Sequence, residues 1–119
     1  MFEWSKYLDL ANELVQREDE AAKRTAVSRA YYSVFCMARN WLEVKSIPIG
    51  HGMNDHHIVW STFEKLQGKR AKKIGLEGQR LRRARNMMDY DNSVPQLSST
   101  IKSSMQRANA IFADLKQMT

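Results

Sequence analysis

Arg80-Leu-Arg-Arg-Ala-Arg-Asn-Met-Met-Asp-Tyr-Asp91 sets four arginines ahead of two carboxylates and a tyrosine, a group of side chains suited to holding an anion. Guanidinium presents its donors in a rigid fork that fits phosphate bidentately. Leu81, Ala84 and Met88 recur at spacings of three and four, which predicts one apolar helix face and leaves Arg82, Arg85 and Asp89 on the neighbouring one. Arg85 and Asp89 read either as a local ion pair or as a cation aimed at a phosphate by its carboxylate. Tyr90 reads either as a core tyrosine closing the helix or as a hydrogen-bond donor to the same phosphate.

The surrounding charge points the same way. Between Lys65 and Arg85 there are nine Lys or Arg, among them Lys69, Arg70, Lys72, Lys73, Arg82 and Arg83, against the single acid Glu77. The whole chain carries a formal +6, so everything outside this stretch is slightly acidic. Such polarisation implies an anionic partner, because Lys and Arg contacts to phosphates release counterions and draw nucleic acid in. A solvated loop and helix face is the plain alternative.

Other chemistries find less support. Cys36 is the single cysteine, which leaves no intrachain disulfide and no CxxC motif and makes the reducing cytoplasm the expected compartment. It reads as a small buried thiol. His51, His56 and His57 stand with no cysteine or carboxylate pair at ligand spacing, so neither a metal nor a cofactor is expected. His56 instead reads as a hydrogen-bonding residue at a helix start, or as a contributor to the arginine cleft. There is no Ser-His-Asp order, Walker loop or GxGxxG. The first residues lack the order of a signal peptide, and no apolar run approaches the roughly 20 residues that span a bilayer. Neither secretion nor a membrane is expected.

Elements must now position these groups. At 119 residues the chain is expected to form one domain over 1–119. Trp4, Tyr7, Leu8, Ala11, Leu14 and Val15 predict a helix from Phe2 to about Gln16. Val27, Tyr31, Val34, Phe35, Ala38, Trp41 and Leu42 predict the longest helix, from about Ala21 to Lys45, with Tyr31 and Tyr32 as packing residues and Arg29 near the cleft. Pro48, Gly50 and Gly52 force a turn between Ser46 and Asn54. Asp55 reads as the cap of a third helix that reaches Gln67 and stops at Gly68, and a basic loop follows. The arginine stretch belongs to a fourth helix, from about Leu76 to Asp89. A fifth, from about Pro95 to Met118, carries Leu97, Ile101, Met105, Ala108, Phe112 and Leu115 on one seam. The expected fold is all-α, an antiparallel up-and-down bundle of four to five helices.

With Ser28-Arg-Ala-Tyr-Tyr-Ser-Val-Phe35 on the long helix, His56 before the third and Arg85-Asn-Met-Met-Asp-Tyr-Asp91 on the fourth, the chain resembles the HEPN superfamily of small prokaryotic helical domains, from about Ala21 to Leu115. The resemblance implies a homodimer with arginine-bearing helices facing across a two-fold. Many members are metal-independent ribonucleases with an Arg-x4–6-His motif, some of them toxins paired with a minimal nucleotidyltransferase; others bind RNA or nucleotides without catalysis. Arg85 matches the arginine of that motif and Asn86 the polar residue beside it, while Tyr90 stands where the shortest form has histidine. A tyrosine, with an ordinary pKa near 10, is a poor base at neutral pH. The resemblance therefore implies RNA or nucleotide-phosphate binding in a toxin–antitoxin or defence setting with weak or absent cleavage, Arg85, Asn86, Asp89 and Tyr90 forming the candidate site. The competing expectation is a non-catalytic module that docks a protein such as a nucleotidyltransferase.

Overall fold

Asp19 starts the longest helix. Its carboxylate accepts a hydrogen bond from the Ala22 N–H at 3.2 Å, which satisfies one of the open donors of a helix N-terminus. The computed structural model describes residues 1–49 and 56–118 and contains five helices among them: α1 Ser5–Leu14, α2 Glu20–Val44, α3 His56–Lys65, α4 Lys69–Tyr90 and α5 Leu97–Gln117. The fold is an all-α helical bundle, with no strand among the described residues. Short connections after α1, α3 and α4 make successive helices run antiparallel. α2 is the central strut and touches each of the other four. Among the described residues no helix is long and apolar enough to cross a membrane. His51 and the expected cap Asp55 lie outside the described residues.

The predicted seams supply the core. Val27, Tyr31, Val34, Phe35, Ala38 and Leu42 of α2 are buried, as are Ile101, Met105, Ala108 and Leu115 of α5. α2 closes after Val44 with Ser46 in the left-handed region at φ 56°. There the Ile47 N–H reaches the Leu42 carbonyl at 3.0 Å and the Ser46 N–H reaches that of Glu43 at 2.9 Å. This pairing satisfies two carbonyls at the helix end.

The expected basic loop between α3 and α4 does not exist. α4 begins at Lys69, directly after Gly68, whose φ of 101° makes the turn between the two helices. Lys and Arg are good helix formers, and the helix carries two glycines, Gly75 and Gly78, at its contact with α3. A Cβ on Gly75 would lie 2.6 Å from the Trp60 carbonyl, and one on Gly78 would run into the Trp60 indole ring. The glycines are a notch that lets the fully buried Trp60 lie against the α4 backbone. Pro95 likewise does not open α5. Gln96 adopts a left-handed conformation at φ 52°, and the helix starts at Leu97.

Arg24 fastens the far end of α4. Its Nη1 donates to the carbonyls of Met88 at 3.2 Å and Asp91 at 2.6 Å, Nη2 donates to that of Asn92 at 3.5 Å, and Nε pairs with Glu20 at 2.9 Å. Carbonyls left open at a helix C-terminus thereby gain a cationic donor from α2.

Candidate anion-binding site

Arg85 lies in the buried stripe of α4, in sequence with Gly78, Leu81 and Met88, rather than on the polar face beside it. It is 6 % exposed. Its guanidinium rests against the Tyr31 and Tyr32 rings of α2, 5.1 Å from each centroid, a cation–π arrangement that offsets part of the cost of removing the charge from water. Arg29 also lies over Tyr32, at 5.1 Å, and over Tyr7, at 5.0 Å, so two cations share the Tyr32 ring.

The ion pair expected between Arg85 and Asp89 is present but weak in geometry. Nη1 of Arg85 lies 3.4 Å from Oδ2 of Asp89, and Ser28 Oγ donates to the same oxygen at 3.3 Å. Charge-assisted contacts of this kind usually measure about 2.7–2.9 Å. Among the described residues Nε of Arg85 is buried without a hydrogen-bond partner, and so is Nε of Arg82 one turn earlier. A buried donor left unmet costs about 1–3 kcal/mol, and more on a charged group. Asp89 meanwhile keeps its side chain at the rim, 26 % exposed. The arrangement is a buried cation neutralised through one long contact to a carboxylate that solvent can reach.

Behind Tyr31 a polar chain runs into the core. Trp60 Nε1 donates to the Tyr31 hydroxyl at 3.0 Å, and that hydroxyl lies 2.6 Å from Nδ1 of His56. The Tyr31 hydroxyl thus bridges the Trp60 indole and the His56 ring of α3. The His56 ring stacks on Phe35 at 4.0 Å. Burial pushes the Tyr31 phenol well above its ordinary range, against the lowering pull of Trp60, Arg85 and Arg82. It stays protonated and serves as structure. Tyr31→Phe should leave the buried Trp60 Nε1 short of its acceptor and lower stability by about 1–3 kcal/mol in denaturant melts, with RNA affinity unchanged.

The other predicted residues spread out. Tyr90 is 76 % exposed, which excludes the core reading, and it lies about 140° around α4 from Arg85. Asn86 is partly buried and about 100° around from Arg85. Arg82 is near enough to Tyr31 to lower its pKa, while Arg83 is exposed. Lys69, Arg70, Lys72 and Lys73 occupy the first turns of α4, about 20 Å along the helix from Arg85. Arg70 and Lys73 share Asp114 of α5, at 3.7 and 3.6 Å. That acid lies outside the stretch whose charges were counted, so the cationic excess is smaller in three dimensions than in sequence.

Cys36 is buried, and burial pushes its thiol up, away from the thiolate a nucleophile needs. Among the described residues no three His, Cys, Asp or Glu side chains converge on a point that would hold a metal. Ser28, Tyr32 and His56, which touch or flank the arginine site, come from elements remote in sequence. The arrangement brings together a buried cation, Arg85, a partly exposed counter-charge, Asp89, and a hydroxyl donor, Ser28, the groups an anion site needs. Compared with models of protein families, with curated proteins and with solved structures, the chain matches none of them.

Proposed function

We propose that this chain is a HEPN-like domain that binds RNA or nucleotides through their phosphate groups, with Arg85 as the central contact and Arg82 beside it. The observation that supports this most is the buried, incompletely paired guanidinium of Arg85. A structural arginine in a core seam would have its donors met, because a half-satisfied buried charge destabilises the fold. Metal-independent cleavage needs a base for the 2′-hydroxyl and an acid for the leaving oxygen besides a cation. Tyr90 turns away and the Tyr31 phenol is committed to His56, so cleavage by the single chain is weak or absent. A toxin–antitoxin or defence setting belongs to the same reading.

Lys69 and Lys72, exposed at the far end of α4, form a second and non-selective contact with the nucleic-acid backbone. Replacing both by alanine should weaken binding equally across RNA sequences and flatten the slope of log affinity against log salt by about 1 to 1.5, since each phosphate contact on a single strand contributes roughly 0.7. Arg70 and Lys73, already leaning on Asp114, should contribute less. An unchanged slope assigns this end of α4 to solvent.

Assembly as a homodimer through α4 completes the proposal. Light scattering at tens of micromolar should give twice the mass of the 13.8 kDa chain. A specific interface of standard size is filled at that concentration, so a single-chain mass counts against the dimer.

A further inference from the structure

We infer that the ligand taken by Arg85 is a terminal phosphate, a phosphomonoester at an RNA end or on a free nucleotide, and that it binds by displacing the carboxylate of Asp89. This rests on the phosphate reading above and narrows it to a substrate class.

Two observations carry the step. Arg85 is almost wholly buried while Asp89, its ion-pair partner, is partly exposed, so the carboxylate marks the route by which an anion reaches the guanidinium. An internal phosphodiester carries a sugar on both sides and a single charge. A terminal phosphate is joined on one side only and approaches a buried cation end first. The second observation is the competition. Asp89 is tethered one helical turn from Arg85, and a tethered group competes at an effective concentration in the millimolar range or above. A diester with the same single charge gains little by replacing it. A monoester, with about −1.5 to −2 charges and three acceptor oxygens, gains charge against Arg85 and Arg82 and can meet the buried Nε donors that the carboxylate leaves open. The displaced Asp89 keeps its place at the water-facing rim, and Ser28 Oγ, freed from it, becomes a donor to the phosphate.

The test measures the affinity of the full chain for one short oligoribonucleotide in three forms: 5′-phosphorylated, 3′-phosphorylated and hydroxyl at both ends. A nucleoside 5′-monophosphate and inorganic phosphate serve as competitors. Loss of the terminal phosphate should weaken binding at least tenfold. The two phosphorylated forms and the mononucleotide distinguish an RNA 5′ end, an RNA 3′ end and a free nucleotide as the source. The margin over the hydroxyl-ended strand should shrink as pH falls through about 6, where a monoester loses its second charge. Asp89→Asn should tighten every ligand threefold to tenfold and narrow the preference for a terminal phosphate. Ser28→Ala, in that background, should weaken the phosphorylated ligands severalfold and leave the hydroxyl-ended strand little changed, because it removes the hydroxyl that donates to the phosphate. Equal binding of all three strands, or weaker binding by Asp89→Asn, overturns the inference while leaving phosphate binding in place. Failure of the unaltered chain to bind any of the ligands overturns both.

Discussion

Arg85→Ala is expected to lower affinity for single-stranded RNA by about tenfold to a hundredfold, the loss that follows from removing one charge-assisted contact worth roughly 1.5–3 kcal/mol. The residue sits in a helix seam, so a fold defect has to be separated from a binding defect. Arg85→Met separates them. It keeps an unbranched apolar side chain beside Tyr31 and Tyr32 and deletes the guanidinium that lies over their rings, a buried charge whose Nε has no partner among the described residues. Replacing such a charge by a well-packed apolar group is often neutral or stabilising. Thermal melts of Arg85→Met should therefore match or exceed those of the unaltered chain, while its RNA titration follows that of Arg85→Ala. A steep fall in melting temperature with full binding retained would make Arg85 a structural residue and remove the site.

Gly78→Ala should give the largest change in stability. By helix propensity alone the substitution stabilises, because glycine costs about 1 kcal/mol relative to alanine inside a helix. Here the new Cβ would meet the Trp60 ring, which is fully buried and tied by its Nε1 to the Tyr31 hydroxyl. The ring cannot withdraw without breaking that hydrogen bond, so overpacking dominates and the net loss is about 2–3 kcal/mol. For a domain of this size that is roughly a 10 °C fall in melting temperature. Leu76→Ala, on the exposed side of the same helix, is the control and should change little. A rise in melting temperature for Gly78→Ala would mean that α3 and α4 are not packed through this notch.

Comparing these two sites shows what the sequence could reveal. The seams of α2 and α5 were legible because apolar residues recur there at three and four with no Gly or Pro between them. The start of α4 was not, because the run of Lys and Arg after Gly68 read as a basic loop, and the side chain against which this part of the helix packs, Trp60, lies eighteen residues upstream of Gly78. Helix periodicity did bring Arg82, Arg85 and Asp89 near one another. It could not tell that Arg85 faces inward, since a charged residue is ordinarily assigned to the surface. The Tyr31, His56 and Trp60 chain is a contact between elements 25 and 29 residues apart and leaves no local periodic signal. The charge count around Lys69 failed for a similar reason, Asp114 being far in sequence and near in space.

Arg24 stands one turn before Ser28 on α2 and holds the carbonyls of Met88, Asp91 and Asn92, the residues that bracket Asp89. The main chain beneath Asp89 is therefore anchored on both sides, and only the side chain is left to yield when an anion arrives. Rotamer changes of rim side chains take picoseconds to nanoseconds, whereas movement of a helix end or local unfolding takes microseconds or longer. On the proposed phosphate-binding reading the site is a swivel on a fixed mount, and capture of the ligand is governed by the rate of encounter rather than by a slow opening of the protein.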